Sequence, residues 1–351
     1  MPPKESFNVA ARHKRELLRR EKATAKKMVE VYGSSWQRIQ ESQRLLARDI
    51  RTMKKQGKKI PVSWLITNRR YKALMVQIAD ELERFSVNAG KQLTSAQASI
   101  VLEAQADARE LMIMGMGTSI PEGGAAVIAA FNQLPARQLE IMVGKLADGS
   151  PLHTLLGEIS PNGRAKAAQV LTDGILMGES PLITGRRLRD ALGSQLSRAM
   201  AIARTTQLQT YRQVNNETYQ MNSDIVTAHI WHAELDDRTC MSCWNMHGTE
   251  LAIGQSVDDH VNGRCTSVPK TKTWAELGFT GIPETQVHVE TGESVFRKKG
   301  EAFQINSMGP SKHEAWKRGE FQFNDLTDRS FSPTWGTMRF EKSLINIRRA
   351  A

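Results

Sequence analysis

Cysteine is scarce in this 351-residue chain: there are three, at 240, 243 and 265, all within 26 residues of one another. An odd and tightly clustered set gives no closed disulfide framework, so synthesis in a reducing cytoplasm is expected. Long apolar runs are lacking as well. The longest, AAVIAAF at 125–131, is far too short to cross a bilayer, and MPPKESFNVAARHKRELL has no signal-peptide core, so no membrane partner is expected. Catalytic signatures are also missing, since no Walker motif, GxSxG elbow or GxGxxG fingerprint occurs. Aromatics make up only 6% of the chain, yet Trp231, Trp244, Trp274, Trp316 and Trp335 are five of its seven tryptophans. Large flat side chains fill small cores efficiently, so that end of the chain should be compact and different in character.

The charge is what the chain has in excess, and it is unevenly placed. The total is +11, but residues 1–72 hold 20 Lys/Arg against 6 Asp/Glu, or +14, which leaves −3 for the remainder. A local excess of that size suits a polyanion, and double-stranded DNA held through its phosphates is the partner it predicts. The expected contacts are Arg12, Lys14, Arg15, Arg19, Arg20, Lys22, Lys26, Lys27, Lys54, Lys55, Lys58 and Lys59. A solvated helical face is the plainer alternative.

Apolar periodicity predicts helices through the first two thirds. Residues 34–57 open with serines suited to capping and carry Trp36, Ile39, Leu46, Ile50 and Met53 at three- and four-residue steps. After the breaker GKKIPVS, the residues Tyr71, Leu74, Ile78, Leu82, Phe85 and Ala89 make a matching seam, so two antiparallel helices are expected. Gly and Pro at Pro121, Gly123, Gly124, Pro135, Pro151, Pro161 and Pro181 divide the middle into shorter helices. Beyond Asn222, DIVTAHIWHAELD reads as a strand, with further short strands near TELAI and TSVPK. His229 and His232 fall on opposite faces of that strand, which is wrong for joint metal binding. The fold class is therefore mainly α over the first two thirds, with long helices, and a small α+β module at the C-terminus. The expected divisions are 1–62, a basic helical arm; 63–222, a helical domain; 223–280, a Cys/His module; and 281–351, an α+β extension.

Cys240-Met-Ser-Cys243 is a CxxC, followed after 16 residues by His260-Val-Asn-Gly-Arg-Cys265. Two thiolates from a tight turn plus a distant His and Cys would complete a tetrahedral zinc site with no open position for a substrate. His247 is an alternative fourth ligand. Three reduced, partly buried thiols beside ordinary histidines is the competing reading, and it needs no metal. Asp236, Asp237, Asp258 and Asp259 flank the motif, where pairing of Asp236 with Arg238 or Arg264 would order the loop.

The run IARTT, the strand and turn IWHAELDDRTCMSCWNMHGTEL and the closing DDHVNGRCTSVP resemble the phage head morphogenesis family typified by minor head protein F of phage Mu. By that resemblance Arg204, Thr205, Trp231, Asp236, Arg238, Thr239, Cys240, Cys243, Gly248, His260, Arg264 and Cys265 take motif positions. Gly263 stands where the family usually has a cysteine. The resemblance is specific over 202–269, weaker over 274–347 and only architectural before residue 200. It implies a low-copy, non-enzymatic virion component of the phage head, associated with the portal protein and with the major capsid or scaffold protein, and acting in assembly or DNA delivery. A zinc-dependent nuclease or other nucleic-acid-modifying enzyme is the alternative function.

Overall fold

Residues 2–146, 149–282 and 289–350 are described by the computed structural model. Three long helices dominate: α1 (Lys4–Lys55), α3 (Arg69–Gly115) and α8 (Pro181–Met221), with the short α2 (Val62–Thr67) between the first two. Between α3 and α8 lie α4 (Gly124–Ala129), α5 (Ala136–Met142), α6 (Leu152–Gly157) and α7 (Ile159–Leu176). The mainly α N-terminal two thirds and small α+β C-terminal region expected from the sequence are both present.

The first helix departs from expectation. It begins at Lys4 and runs 52 residues straight through the serines that looked like a cap at 34. Buried Ala10, Leu17, Met28, Ile39 and Leu46 recur at steps of seven or eleven, so one apolar seam spans the whole helix. Ser34 bonds back to the Glu30 carbonyl at 3.2 Å instead of capping free amides. Gly33 costs a helix interior only about 1 kcal/mol, too little to break so long a seam. Pro161 likewise fails to interrupt a helix, because it sits in the first turn of α7, where its missing N–H has no intrahelical acceptor anyway.

The chain forms two units. The second comprises Arg20–Ala96 and Ser150–Arg204 and is entirely helical. Here α1 and α3 run antiparallel: Arg70 reaches Asp49 at 2.7 Å, while Arg38 grips Glu81 with two bonds of 2.5 and 2.6 Å. Leu74, Ile78, Leu82, Phe85 and Ala89 are fully buried along the α3 seam, with Ile39, Leu46 and Ile50 buried on α1; Trp36, Met53 and Tyr71 are half-buried. Ser160 donates to the Ala79 carbonyl and Ser86 to that of Leu156, which ties α7 and α6 to α3.

The first unit comprises Met1–Arg19, Gln97–Gly149 and Thr205–Ala351. Its helical core joins Leu17, Ile100, Ala104, Leu139, Leu208, Tyr211 and Val214. Upon it sits a three-stranded antiparallel sheet in the order β2-β1-β3, built from β1 (Val226–His232), β2 (Glu250–Ala252) and β3 (Thr266–Thr271). All three strands match the runs read as strands. Ile230 pairs with Val268 and with Glu250. The helix α9 (Met241–Met246) lies between β1 and β2.

Beyond residue 288, where sequence did not separate helix from strand, come α10 (Gly292–Arg297), α11 (Glu301–Met308), α12 (Pro310–Lys317), a 3₁₀ turn at Phe323–Leu326, the hairpin β4 (Thr327–Ser332) and β5 (Gly336–Glu341), and α13 (Leu344–Ala350). These elements close over a second core in which Trp244, Phe296, Trp316 and Phe323 pack at ring separations of 5.1–5.9 Å. Such contacts contribute roughly 0.5–1.5 kcal/mol per pair beyond their area burial. Of the five clustered tryptophans, Trp244 and Trp316 fill this C-terminal core, Trp231 and Trp274 are buried in other clusters, and Trp335 is half-buried.

Candidate metal centre

A turn, a short helix and a strand bring the motif residues together. After β1 the chain turns at Asp236, whose carboxylate accepts from the Arg238 backbone, the Thr239 hydroxyl and both Arg264 nitrogens, at 3.1, 2.8, 2.8 and 2.6 Å. The Arg264 fork holds the Asp236 carboxyl well below the usual carboxylate range. Arg238 itself is largely exposed and meets Asp236 only at 3.4 Å. With the turn fixed, Cys240 becomes the N-cap of α9, its sulfur accepting from Cys243 N at 3.4 Å. Gly248 ends the helical segment with φ 85°, and its N–H bonds the carbonyl of fully buried Trp231, returning the chain to the sheet.

The closing segment arrives just before β3. Asn262, with φ 64°, donates its backbone N–H to Thr205 Oγ1 on α8 at 3.0 Å. The neighbouring Arg204 belongs to the second unit, where it pairs with buried Glu21 at 3.0 Å.

Around Cys243 two groups of donors converge, each with its atoms within 4.8 Å of one another. One is Cys240, Cys243 and His260; the other is Cys243, Asp259 and Cys265. His260 Nε2 lies 3.2 Å from Cys240 Sγ and 3.4 Å from Cys243 Sγ, while its Nδ1 is 2.9 Å from the Val261 carbonyl. An Nδ1–H donated to that carbonyl leaves Nε2 facing the sulfurs, as a metal ligand must. Of the four residues picked out by spacing, Cys240, Cys243 and His260 form one group, while Cys265 joins Cys243 in the other, with Asp259 as its third member. His247 is in neither group: its Nδ1 accepts from Ala233 N at 3.1 Å, and burial pushes its pKa down to about 4.

The electrostatics of the cluster favour charge separation. Cys243 donates toward Cys240 and draws that thiol down to about 5. Burial opposes a charged His260, but the Cys240 sulfur and Asp259 outweigh it and hold the imidazole up to about 10. Cys243, donor to its neighbours and deeply buried, is pushed up. A thiolate beside an imidazolium is an arrangement in which a divalent cation can replace protons. Chemically the donors are soft sulfur and imidazole nitrogen, which suits zinc.

Sequence reasoning took the aspartates near the motif as loop-ordering partners of Arg238 or Arg264. It did not anticipate that Asp259 lies inside the cluster, paired with Arg212 on α8 at 2.8 Å, both side chains buried. No local signal joins residues 47 apart, so only the fold could reveal that pair. Asp258 meets Arg339 and Arg329 of the hairpin at 2.7 and 2.8 Å. His229 and His232 are both buried; His229 bonds the Gln255 carbonyl and His232 packs against Phe7.

The cationic residues behave less uniformly than expected. Arg12, Arg15 and Arg19 in the first unit, and Lys22, Lys26, Lys27, Lys54, Lys55, Lys58 and Lys59 in the second, are exposed. Arg20 is half-buried. Lys14 is the correction: its side chain is 1% exposed and lies 3.4 Å from Glu234, on the apolar side of α1, so it has no surface to offer a phosphate.

Residues 165–272 match the family of phage Mu protein F like proteins. That match supports the phage head morphogenesis family, a family of structural head proteins that work in the virion with other head components. The matched stretch runs from α7 through β3 and includes every residue of the cluster. No curated protein and no solved structure matches the chain. Among the described residues, no helix is long and apolar enough to cross a membrane.

Proposed function

We propose that this protein is a minor head protein of a tailed phage, associated with the portal and touching packaged double-stranded DNA. The observation that carries the reading is the family match over 165–272, which spans the assembled cluster. In this reading Cys240, Cys243, His260 and Cys265 hold one zinc ion, which would crosslink α9 to the start of β3 as a filled structural site. The exposed cations of α1 supply contacts to phosphate, which carry no base specificity.

The test is made on virions and on the full chain. Mass spectrometry of purified heads and proheads should find the protein in far fewer copies than the major capsid protein, and it should co-purify with the portal. Absence from both particles, together with turnover of a nucleic acid by the purified chain, would replace this reading with an enzymatic one. Affinity for duplex DNA should fall steeply with added salt, and Lys26→Ala or Lys27→Ala should each reduce the salt slope by about one. Binding that ignores salt would remove DNA from the list of partners.

A further inference from the structure

Gly263 and Asp259 compete for one volume. A Cβ built on Gly263 collides with both oxygens and the carboxyl carbon of Asp259, whose side chain is 1% exposed and has nowhere to retreat. A side chain at 263 and the observed Asp259 carboxylate are therefore mutually exclusive. That carboxylate is fully occupied. Its Oδ1 accepts from Cys243 Sγ at 3.3 Å and from His260 N at 2.9 Å; its Oδ2 accepts from Cys265 N at 2.9 Å and from Arg212 at 2.8 Å.

One side chain thus touches three of the four residues assigned to the metal. Arg212 then ties the assembly to α8 through two more bonds, to the Cys265 carbonyl at 2.7 Å and the Gly263 carbonyl at 3.0 Å. We propose that Asp259 is the positioning residue of the metal centre, its carboxylate occupying the place of a side chain at 263 and setting the spacing of Cys243, His260 and Cys265. This rests on the zinc reading above. Outer contacts of this kind orient ligand atoms, and their loss weakens metal affinity by about ten- to a hundredfold.

The experiment is a cobalt(II) titration of the metal-stripped full chain, followed by its thiolate-to-metal absorption, alongside urea denaturation of the same samples. Asp259→Ala should bind cobalt at least about tenfold more weakly, with an altered spectrum at saturation. Gly263→Ala should damage binding similarly, and its denaturation cost should vanish in the Asp259→Ala background, where the space is free. An Asp259→Ala protein with unchanged affinity and spectrum, or additive costs for the two substitutions, would overturn the proposal. If the unaltered chain takes up no cobalt and no zinc, the zinc reading falls by itself. Coupling of the two substitutions in urea would then still support Asp259 as the group that sets the cluster's geometry, and additivity would still sink it.

Discussion

Lys14, in the fourth turn of α1, ends 3.4 Å from Glu234, a residue 220 positions later in the chain. The ammonium also lies 3.4 Å from the His232 carbonyl, and burial pushes its pKa down against the pull of Glu234. The N-terminal helix is therefore stitched to the end of β1 inside the first unit by a charge pair whose lysine is buried and whose glutamate is partly exposed.

Removing one member of that pair leaves the other charge without its partner. Lys14→Met, which keeps the aliphatic stem, should destabilise the protein by about 3 kcal/mol in urea denaturation, and adding Glu234→Gln should return most of the loss. Affinity for duplex DNA should stay unchanged in Lys14→Met, in contrast to Lys26→Ala. A weakened, less salt-sensitive DNA complex from Lys14→Met would contradict the buried placement.

The metal-free cluster should give stability a pH profile with a flat middle. His260 is raised from an ordinary 6.5 to about 10, so its contribution is complete below 6.5 and is lost as pH rises through 10. Cys240 is lowered from 9.0 to about 5, so its contribution is complete above 9 and is lost as pH falls through 5. Between 6.5 and 9 the folded thiolate-imidazolium pair and the unfolded neutral pair hold the same number of protons. Stability should rise with pH from 5 to 6.5 and fall from 9 to 10, each with a slope of about one proton. The difference between the unaltered chain and Cys240→Ser/His260→Gln, in chelator, isolates this term.

Zinc content separates the ligand sets. Purified protein should carry about one zinc per chain, and Cys240→Ser or Cys265→Ser should release it while the helices of the second unit still melt cooperatively. His260→Ala should release zinc and His247→Ala should not, as elemental analysis would show. The reverse order would transfer the ligand role to His247.

Two glycines should respond oppositely to alanine. At Gly292 a Cβ would strike the Trp244 carbonyl and crowd His247, so Gly292→Ala should cost about 1–3 kcal/mol as α10 is forced away from α9. At Gly33 the same atom meets nothing within 4 Å, in a helix interior, so Gly33→Ala should stabilise by roughly 0.5–1 kcal/mol. Thermal or urea denaturation of the two variants reads both signs.

These sites also show how far sequence alone reaches. The CxxC and the His-x₄-Cys were legible because chelation needs fixed short spacings, and β1 was legible because VTAHIWH is β-branched or aromatic at every position but Ala228. The continuous helix α1 was obscured because Gly33-Ser34-Ser35 mimics a helix start, while the seam that overrides it crosses this point in the eleven-residue step from Met28 to Ile39. Lys14 was misread because a charge count does not see which face of a helix is buried. Arg212 and Asp259 were invisible because their partnership is made by tertiary packing between α8 and the loop before β3.

The first unit is assembled from three separated stretches of chain, and α1, α3 and α8 each supply residues to both units. The family match, by contrast, is one continuous stretch that begins in one unit and finishes in the other. A recombination event carrying residues 165–272 into another gene would leave behind Lys14, which neutralises Glu234, and Asp107, which accepts from Tyr211 at 3.0 Å. The matched stretch is thus smaller than the set of residues its side chains pack against, so a chimera that exchanges it should also exchange the N-terminal turns of α1 and the second half of α3.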